Sequence, residues 1–164
     1  QKNEEVIMEK IAVYGSGTIG SCEATLIIGH GIPCTVIGHS EKGLERCRKA
    51  VAQNWDDLIA NGLAAEENKT AALALLTITN DPTALTGCTY VFEAVAEGAA
   101  EKQAVYENIA KYAEPGAVVA SCSSSMDAEI LAGLSPTLSS RCTCCLWWKW
   151  FVTKRRPSPP LTGR

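Results

Sequence analysis

The sequence predicts an α/β fold, a doubly wound parallel sheet, because short apolar runs alternate with helix-length stretches and a glycine-spaced turn makes the first junction. Residues 11–14 read as a buried strand, Gly15, Gly17 and Gly20 follow with G-x-G-x-x-G spacing, and 18–29 read as an apolar helix. Gly29, Gly31 and Pro33 turn the chain into a second strand over 34–38. From Glu41 the residues Leu44, Cys47, Val51, Trp55, Leu58 and Ile59 recur at steps of three and four, the stripe of an amphipathic helix. Asn61 and Gly62 stop it, and a second helical stretch over 65–75 precedes a brief strand over 77–79. Asp81 and Pro82 start a short helix, the aspartate as cap and the proline in its first turn. The remaining elements are a fourth strand over 90–95, a helix over 99–112, a fifth strand over 117–121 and a helix over 127–132 capped by Asp127.

A chain of 164 residues suits one domain with its own core. The net charge of -3 with mixed signs gives no reason to expect nucleic acid or a membrane surface as partner. No run of about 18 apolar residues is present, and the first ten residues are too polar for a secretory signal, so a soluble, cytoplasmic protein is expected. Eight cysteines, scattered until Cys142, Cys144 and Cys145, lack paired zinc spacing, which favours buried reduced thiols and no metal.

The turn formed by Gly15, Ser16, Gly17, Thr18, Ile19 and Gly20 has the pattern that binds a dinucleotide pyrophosphate. Gly15 supplies a tight turn, Gly17 lets backbone approach the phosphates, and Gly20 lets the helix pack closely on its strand. Backbone N–H groups and the helix dipole then favour negative charge at the helix start. The motif alone is weak evidence; its position after the first strand of an alternating series makes it strong.

Further segments resemble the NAD-binding domain of the 3-hydroxyacyl-CoA dehydrogenase family, over roughly residues 8–141. They are the glycine turn, the helical excursion between Ser40 and Leu76, the phrase Val91-Phe92-Glu93-Ala94-Val95-Ala96-Glu97, and Ala120-Ser121-Cys122-Ser123-Ser124-Ser125. A plain crossover needs only about a dozen residues, so the excursion after the second strand is the discriminating marker. The resemblance implies a Rossmann-like domain, NAD as cofactor, and an enzyme of fatty acid metabolism moving hydride between the 3-hydroxy or 3-keto carbon of an acyl-CoA and nicotinamide. It also implies a dimer in the intact family.

Residue by residue, the resemblance implies that Glu97 and Lys102 lie near the nicotinamide end, with an exposed helix-start pair as the plainer alternative. Ala94 and Val95 fall in the cofactor-binding phrase. Ser124 matches the serine that hydrogen-bonds the substrate's hydroxyl or keto oxygen, although capping of the helix at Asp127 would also occupy it. Cys122 stands where the family usually has asparagine. The usual acidic residue that binds the ribose 2′-hydroxyl is replaced by Gly38, followed by His39 and Ser40. Without the carboxylate, NADP stays open beside NAD. His30 falls at a helix C-terminus, where an imidazole serves as dipole partner or surface residue, and neither histidine is assigned to catalysis.

The family's general base and its orienting glutamate belong to phrases like His-x-x-Asn-Pro and Pro-Leu-Val-Glu-Val-Val beyond the position of Arg141, and neither phrase is present. Instead the chain runs Cys-Thr-Cys-Cys-Leu-Trp-Trp-Lys-Trp-Phe. Trp147, Trp148 and Trp150 beside Lys154, Arg155 and Arg156 have the composition of a membrane-surface or single-strand nucleic-acid segment. The genetic code offers a sharper account. Leu146 through Phe151 require a leucine codon followed by TGG TGG AAR TGG TTY; read from the last leucine base this becomes NTG GTG GAA RTG GTT, encoding Leu, Met or Val, then Val-Glu, then Val or Met, then Val. The tail thus fits an out-of-frame reading of the family's glutamate strand, with a short upstream deletion removing the histidine. The expected organisation is an extension over 1–7, a dinucleotide domain over 8–141 and a disordered non-family tail over 142–164. On this reading the C-terminal helical domain is absent and the chain is inactive, monomeric or aggregation-prone. Gln1, with Met8 where family chains often begin, implies a fragment or an upstream read-through. A non-catalytic dinucleotide-binding module, or another dehydrogenase of the same fold, is the alternative function.

Overall fold

The structure is a computed structural model that describes residues 10–96, 98–123 and 142–144. Its elements in order are β1 (Ile11–Tyr14), α1 (Thr18–Gly29), β2 (Cys34–Ile37), α2 (Glu41–Ala60), α3 (Glu66–Leu73), β3 (Leu76–Thr79), a 3-10 helix (Pro82–Leu85), β4 (Tyr90–Glu93), α4 (Ala99–Tyr112), β5 (Val118–Ser121) and β6 (Cys142–Cys144). The strands form one sheet in the order β3-β2-β1-β4-β5-β6, with every neighbouring pair parallel. This is the doubly wound parallel sheet expected, with the helical excursion α2–α3 between β2 and β3.

Alternation along each strand assigns side chains to opposite faces. Ile11 and Val13 of β1 join Cys34 and Val36 of β2 beneath α1, α2 and α3, packed with Ala24, Ile28, Cys47, Val51, Trp55 and Ala72. Ala12, Ile37 and Val91 face the other way, onto Leu85 and onto Val105, Tyr106 and Ile109 of α4. The stripe read from α2 is the face it buries: Leu44, Cys47, Val51 and Trp55 lie inside, with Leu58 and Ile59 half-buried.

Differences from the sequence reading are local. The helix at Pro82 is 3-10, with Asp81 capping it by accepting from the Thr83 N–H at 2.9 Å. β4 stops at Glu93, because Ala94 and Val95 turn out of the sheet toward the glycine turn. Cys142–Cys144, expected at the start of a disordered tail, form β6 in register with Val119–Ser121. The rest of that tail and the helix expected over 127–132 lie outside the described residues. None of the described helices is long and apolar enough to cross a membrane.

Cys34, Cys47 and Cys88 are buried free thiols, whereas Cys22 is exposed. Burial, reinforced by Cys47, Cys88 and Glu23, pushes the Cys34 thiol from 9.0 to about 12. The folded chain therefore holds its proton where the unfolded chain releases it, and stability present below pH 9.0 is lost as pH rises toward about 12. The melting temperature of the wild type should fall more steeply across that window than that of Cys34→Ala; parallel falls would contradict the assignment.

Candidate functional site

β1 is joined through α1 to β2 on one side, and β4 flanks it on the other, so the direction in which strands are added to the sheet reverses between β1 and β4. Ligands of open α/β sheets bind in the crevice at the carboxyl ends of such strands. The expected residues Gly15, Ser16, Gly17, Thr18, Ile19, Gly20, Gly38, His39, Ala94, Val95 and Cys122 all follow the carboxyl ends of β1, β2, β4 or β5.

The turn after β1 is held by backbone meeting backbone. Gly15 has φ +134°, its N–H donates to the Ile37 carbonyl at 2.8 Å, and a Cβ there would strike the Ala94 carbonyl. A Cβ on Gly20 would strike the carbonyl oxygen of Gly15. In return, the Ala94 N–H donates to the Tyr14 carbonyl at 2.8 Å. Strands β2 and β4 thus clamp the turn from both sides.

Gly17 differs from these two. Its φ of -82° is ordinary, and nothing lies within 4 Å of the position a Cβ would take. As the N-cap of α1 it offers no side-chain bond to the first-turn N–H groups, and no acidic residue stands in that turn. Backbone donors and a helix dipole therefore open onto free space, the arrangement that accepts a pyrophosphate. The cradle fits the cofactor that the sequence implies.

Gly38 is enclosed. A Cβ there would lie 2.6 Å from Ser16 Oγ and 2.7 Å from Leu44 Cδ2, so a larger residue would require those side chains to shift. His39 is exposed, and Ser40 caps α2 by accepting from the Gly43 N–H at 3.2 Å. His30 stands at the far end of α1, its Nδ1 2.8 Å from the Leu26 carbonyl, which fits the helix-end role expected of it.

Lys102 was expected beside Glu97 at the cofactor; its ammonium is instead buried and lies 2.8 Å from both Glu93 carboxylate oxygens. The ammonium is thus engaged by both oxygens of one buried carboxylate. Glu93 also accepts from Ser121 Oγ at 2.6 Å, from the Val95 N–H at 2.9 Å and from the Tyr106 hydroxyl at 3.3 Å. Ser121 Oγ in turn accepts from the Ser123 N–H at 3.1 Å, and the Cys122 N–H donates to the Glu93 carbonyl at 2.8 Å. One carboxylate thus fixes the chain leaving β4 and the chain leaving β5. The sequence reading missed Glu93 as a hub; the available signal was an acid at the end of an otherwise apolar strand, with Lys102 nine residues on. Glu97 and Ser124 lie outside the described residues.

Breaking a buried pair by removing one partner costs about 3–5 kcal/mol, because the remaining charge is uncompensated. Glu93→Ala should lose about that much in urea unfolding, and the double variant Glu93→Gln with Lys102→Met should recover most of it. A loss below about 1 kcal/mol for Glu93→Ala would contradict a buried ion pair.

The chain's similarity to known proteins agrees with this geometry. Residues 10–142 match the family described as 3-hydroxyacyl-CoA dehydrogenase, NAD binding domain. The chain is 37% identical over 128 residues to L-carnitine dehydrogenase of Staphylococcus epidermidis, covering 77% of this chain and 39% of that protein. It is 29% identical over 120 residues to 3-hydroxybutyryl-CoA dehydrogenase of Mycobacterium tuberculosis, covering 73% of this chain and 42% of that protein. The crystal structure of M. tuberculosis FadB2 superposes with TM-score 0.79 at 27% identity, over 84% of this chain and 48% of the other. The chain spans less than half the length of each of these relatives. A Rossmann-like sheet, a glycine cradle at its switch point and a family match over most of its length identify the chain as a member of the 3-hydroxyacyl-CoA dehydrogenase family, carrying that family's NAD-binding domain.

Proposed function

We propose that this chain is the cofactor-binding half of an NAD-dependent oxidoreductase acting on a 3-hydroxy or 3-keto acyl-CoA, and that alone it binds the dinucleotide but turns substrate over very slowly or not at all. The observation that carries the reading is the open, uncapped start of α1 at Gly17, flanked by backbone contacts at Gly15 and Gly20 that need glycine. In this role the N–H groups of the first turn of α1 hold the pyrophosphate. Residues after β2 face the adenosine ribose, while Ala94, Val95 and Cys122 line the nicotinamide side, with Glu97 and Ser124 assigned there by resemblance.

The bound nicotinamide supplies a hydride acceptor or donor, and the protein aligns it with the substrate's 3-carbon. Taking the hydroxyl proton requires a positioned base. His30 is engaged at the far end of α1, and His39 follows β2 on the adenosine side. Neither stands at the end of β4 or β5, where the substrate carbon would meet the nicotinamide. Loss of a general base costs about 100- to 10,000-fold in rate, which supports slow or absent turnover. The similarity to L-carnitine dehydrogenase favours a second reading, in which a 3-hydroxy acid bearing a quaternary ammonium replaces the acyl-CoA. Both substrates present a hydroxyl on the third carbon, so the cofactor half serves either.

Titration by NADH fluorescence, followed by assays with acetoacetyl-CoA and with L-carnitine, tests the proposal. We expect saturable NADH binding and turnover at least about 100-fold below that of a complete enzyme. Gly17→Ala should unfold within about 1 kcal/mol of the wild type yet bind NADH at least about tenfold more weakly. Gly20→Ala should lose stability as well. Unchanged NADH affinity in Gly17→Ala would place the cofactor elsewhere, and rapid turnover by this chain would overturn the inactive half-enzyme.

A further inference from the structure

The cofactor reading leaves one charged cavity unexplained. Between α1 and α2 lies a pocket of about 250 Å3, lined by Ser16, Gly17 and Thr18 of the glycine turn, by Ser21 and Cys22 of α1, and by Arg46, Ala50 and Asn54 of α2. Arg46 is one turn beyond Gly43 on the same face of α2, and helical side chains lean toward the helix N-terminus. Its stem therefore leans toward the end of β2, where Gly38 touches Ser16.

The nearby carboxylates and the Asn54 amide are already engaged. Glu45 is paired with Arg48 and Lys49, Glu41 accepts from Asn80 Nδ2 at 2.8 Å, and Asn54 Nδ2 donates to Thr25 Oγ1 at 3.0 Å. By contrast, Arg46 has no acidic partner among the described residues, and no hydrogen bond there engages the Ser16 hydroxyl. A cation and the Ser16 hydroxyl thus adjoin a strand end that carries glycine where a carboxylate usually stands.

We infer that this pocket accepts the 2′-phosphate of an NADP-type dinucleotide, with Arg46 as its counter-charge and Ser16 as donor, so that the site takes NADPH as well as NADH. The inference rests on the proposed dinucleotide site and adds to it a specificity-determining residue, Arg46. A carboxylate after β2 selects NAD by bonding the 2′-hydroxyl and repelling a phosphate, while a nearby arginine accommodates that phosphate. Arginine meets phosphate oxygens with two parallel N–H groups, and such charged bonds are about twice as strong as neutral ones.

Fluorescence titration of the full chain with NADH and with NADPH tests the inference, using wild type, Arg46→Ala and Arg46→Lys. Wild type should bind NADPH within about fivefold of NADH or tighter. Arg46→Ala should shift the NADPH-to-NADH affinity ratio by about tenfold toward NADH, with Arg46→Lys between the two. A wild-type preference for NADH above about fivefold, or a ratio unchanged by Arg46→Ala, overturns the inference while leaving the dinucleotide site standing. Failure to bind either cofactor overturns both.

Discussion

The constraint on which the rest of this structure depends is the approach of backbone to backbone around the first turn. Gly15 lies against the Ala94 carbonyl and Gly20 against the Gly15 carbonyl, so the first turn and the distant end of β4 share a space that admits no Cβ. The contact aims α1 at the crevice between β1 and β4 and brings the end of β4 alongside the turn. It also leaves the first N–H groups of α1 without a side-chain cap. A cap would satisfy those donors inside the protein; its absence leaves them for a ligand.

Glu93 performs the complementary task on the other half of the sheet. A carboxylate at the end of a buried strand carries a large desolvation cost unless charge and hydrogen bonds surround it. Lys102, Ser121, Tyr106 and the Val95 N–H provide that surrounding. Lys102 and Tyr106 come from α4, Val95 from the chain leaving β4 and Ser121 from the end of β5, so satisfying one buried charge fixes all three segments. The ends of β4 and β5 are thereby ordered by electrostatics, whereas the glycine turn after β1 is ordered by the absence of side chains.

This division explains what was legible in the sequence. Strand and helix positions, including the Leu44, Cys47, Val51 and Trp55 stripe, follow from periodicity because burial in a two-faced sheet imposes it. The glycine turn was legible because its requirement is local and steric. Glu93 was not, because its partners are spread from Val95 to Ser121 and only the tertiary fold unites them. Lys102 is singled out by the family resemblance together with Glu97, while the fold brings its ammonium to Glu93. Gly38 stands where a carboxylate is usual; the structure adds that the Ser16 and Leu44 side chains crowd the position. Cys142–Cys144 gave no strand signal of their own, and their pairing comes from the open edge of β5.

The central claim is that a dinucleotide lies across the ends of β1, β2, β4 and β5 with its pyrophosphate over Gly17. Amide chemical-shift mapping of the 15N-labelled chain during NADH addition tests it most directly. The account predicts saturable shifts concentrated at the glycine turn, at Gly38 to Ser40, at Ala94 and Val95, and at Cys122. Shifts confined to α3 and the far end of α1, or none at all, would contradict it.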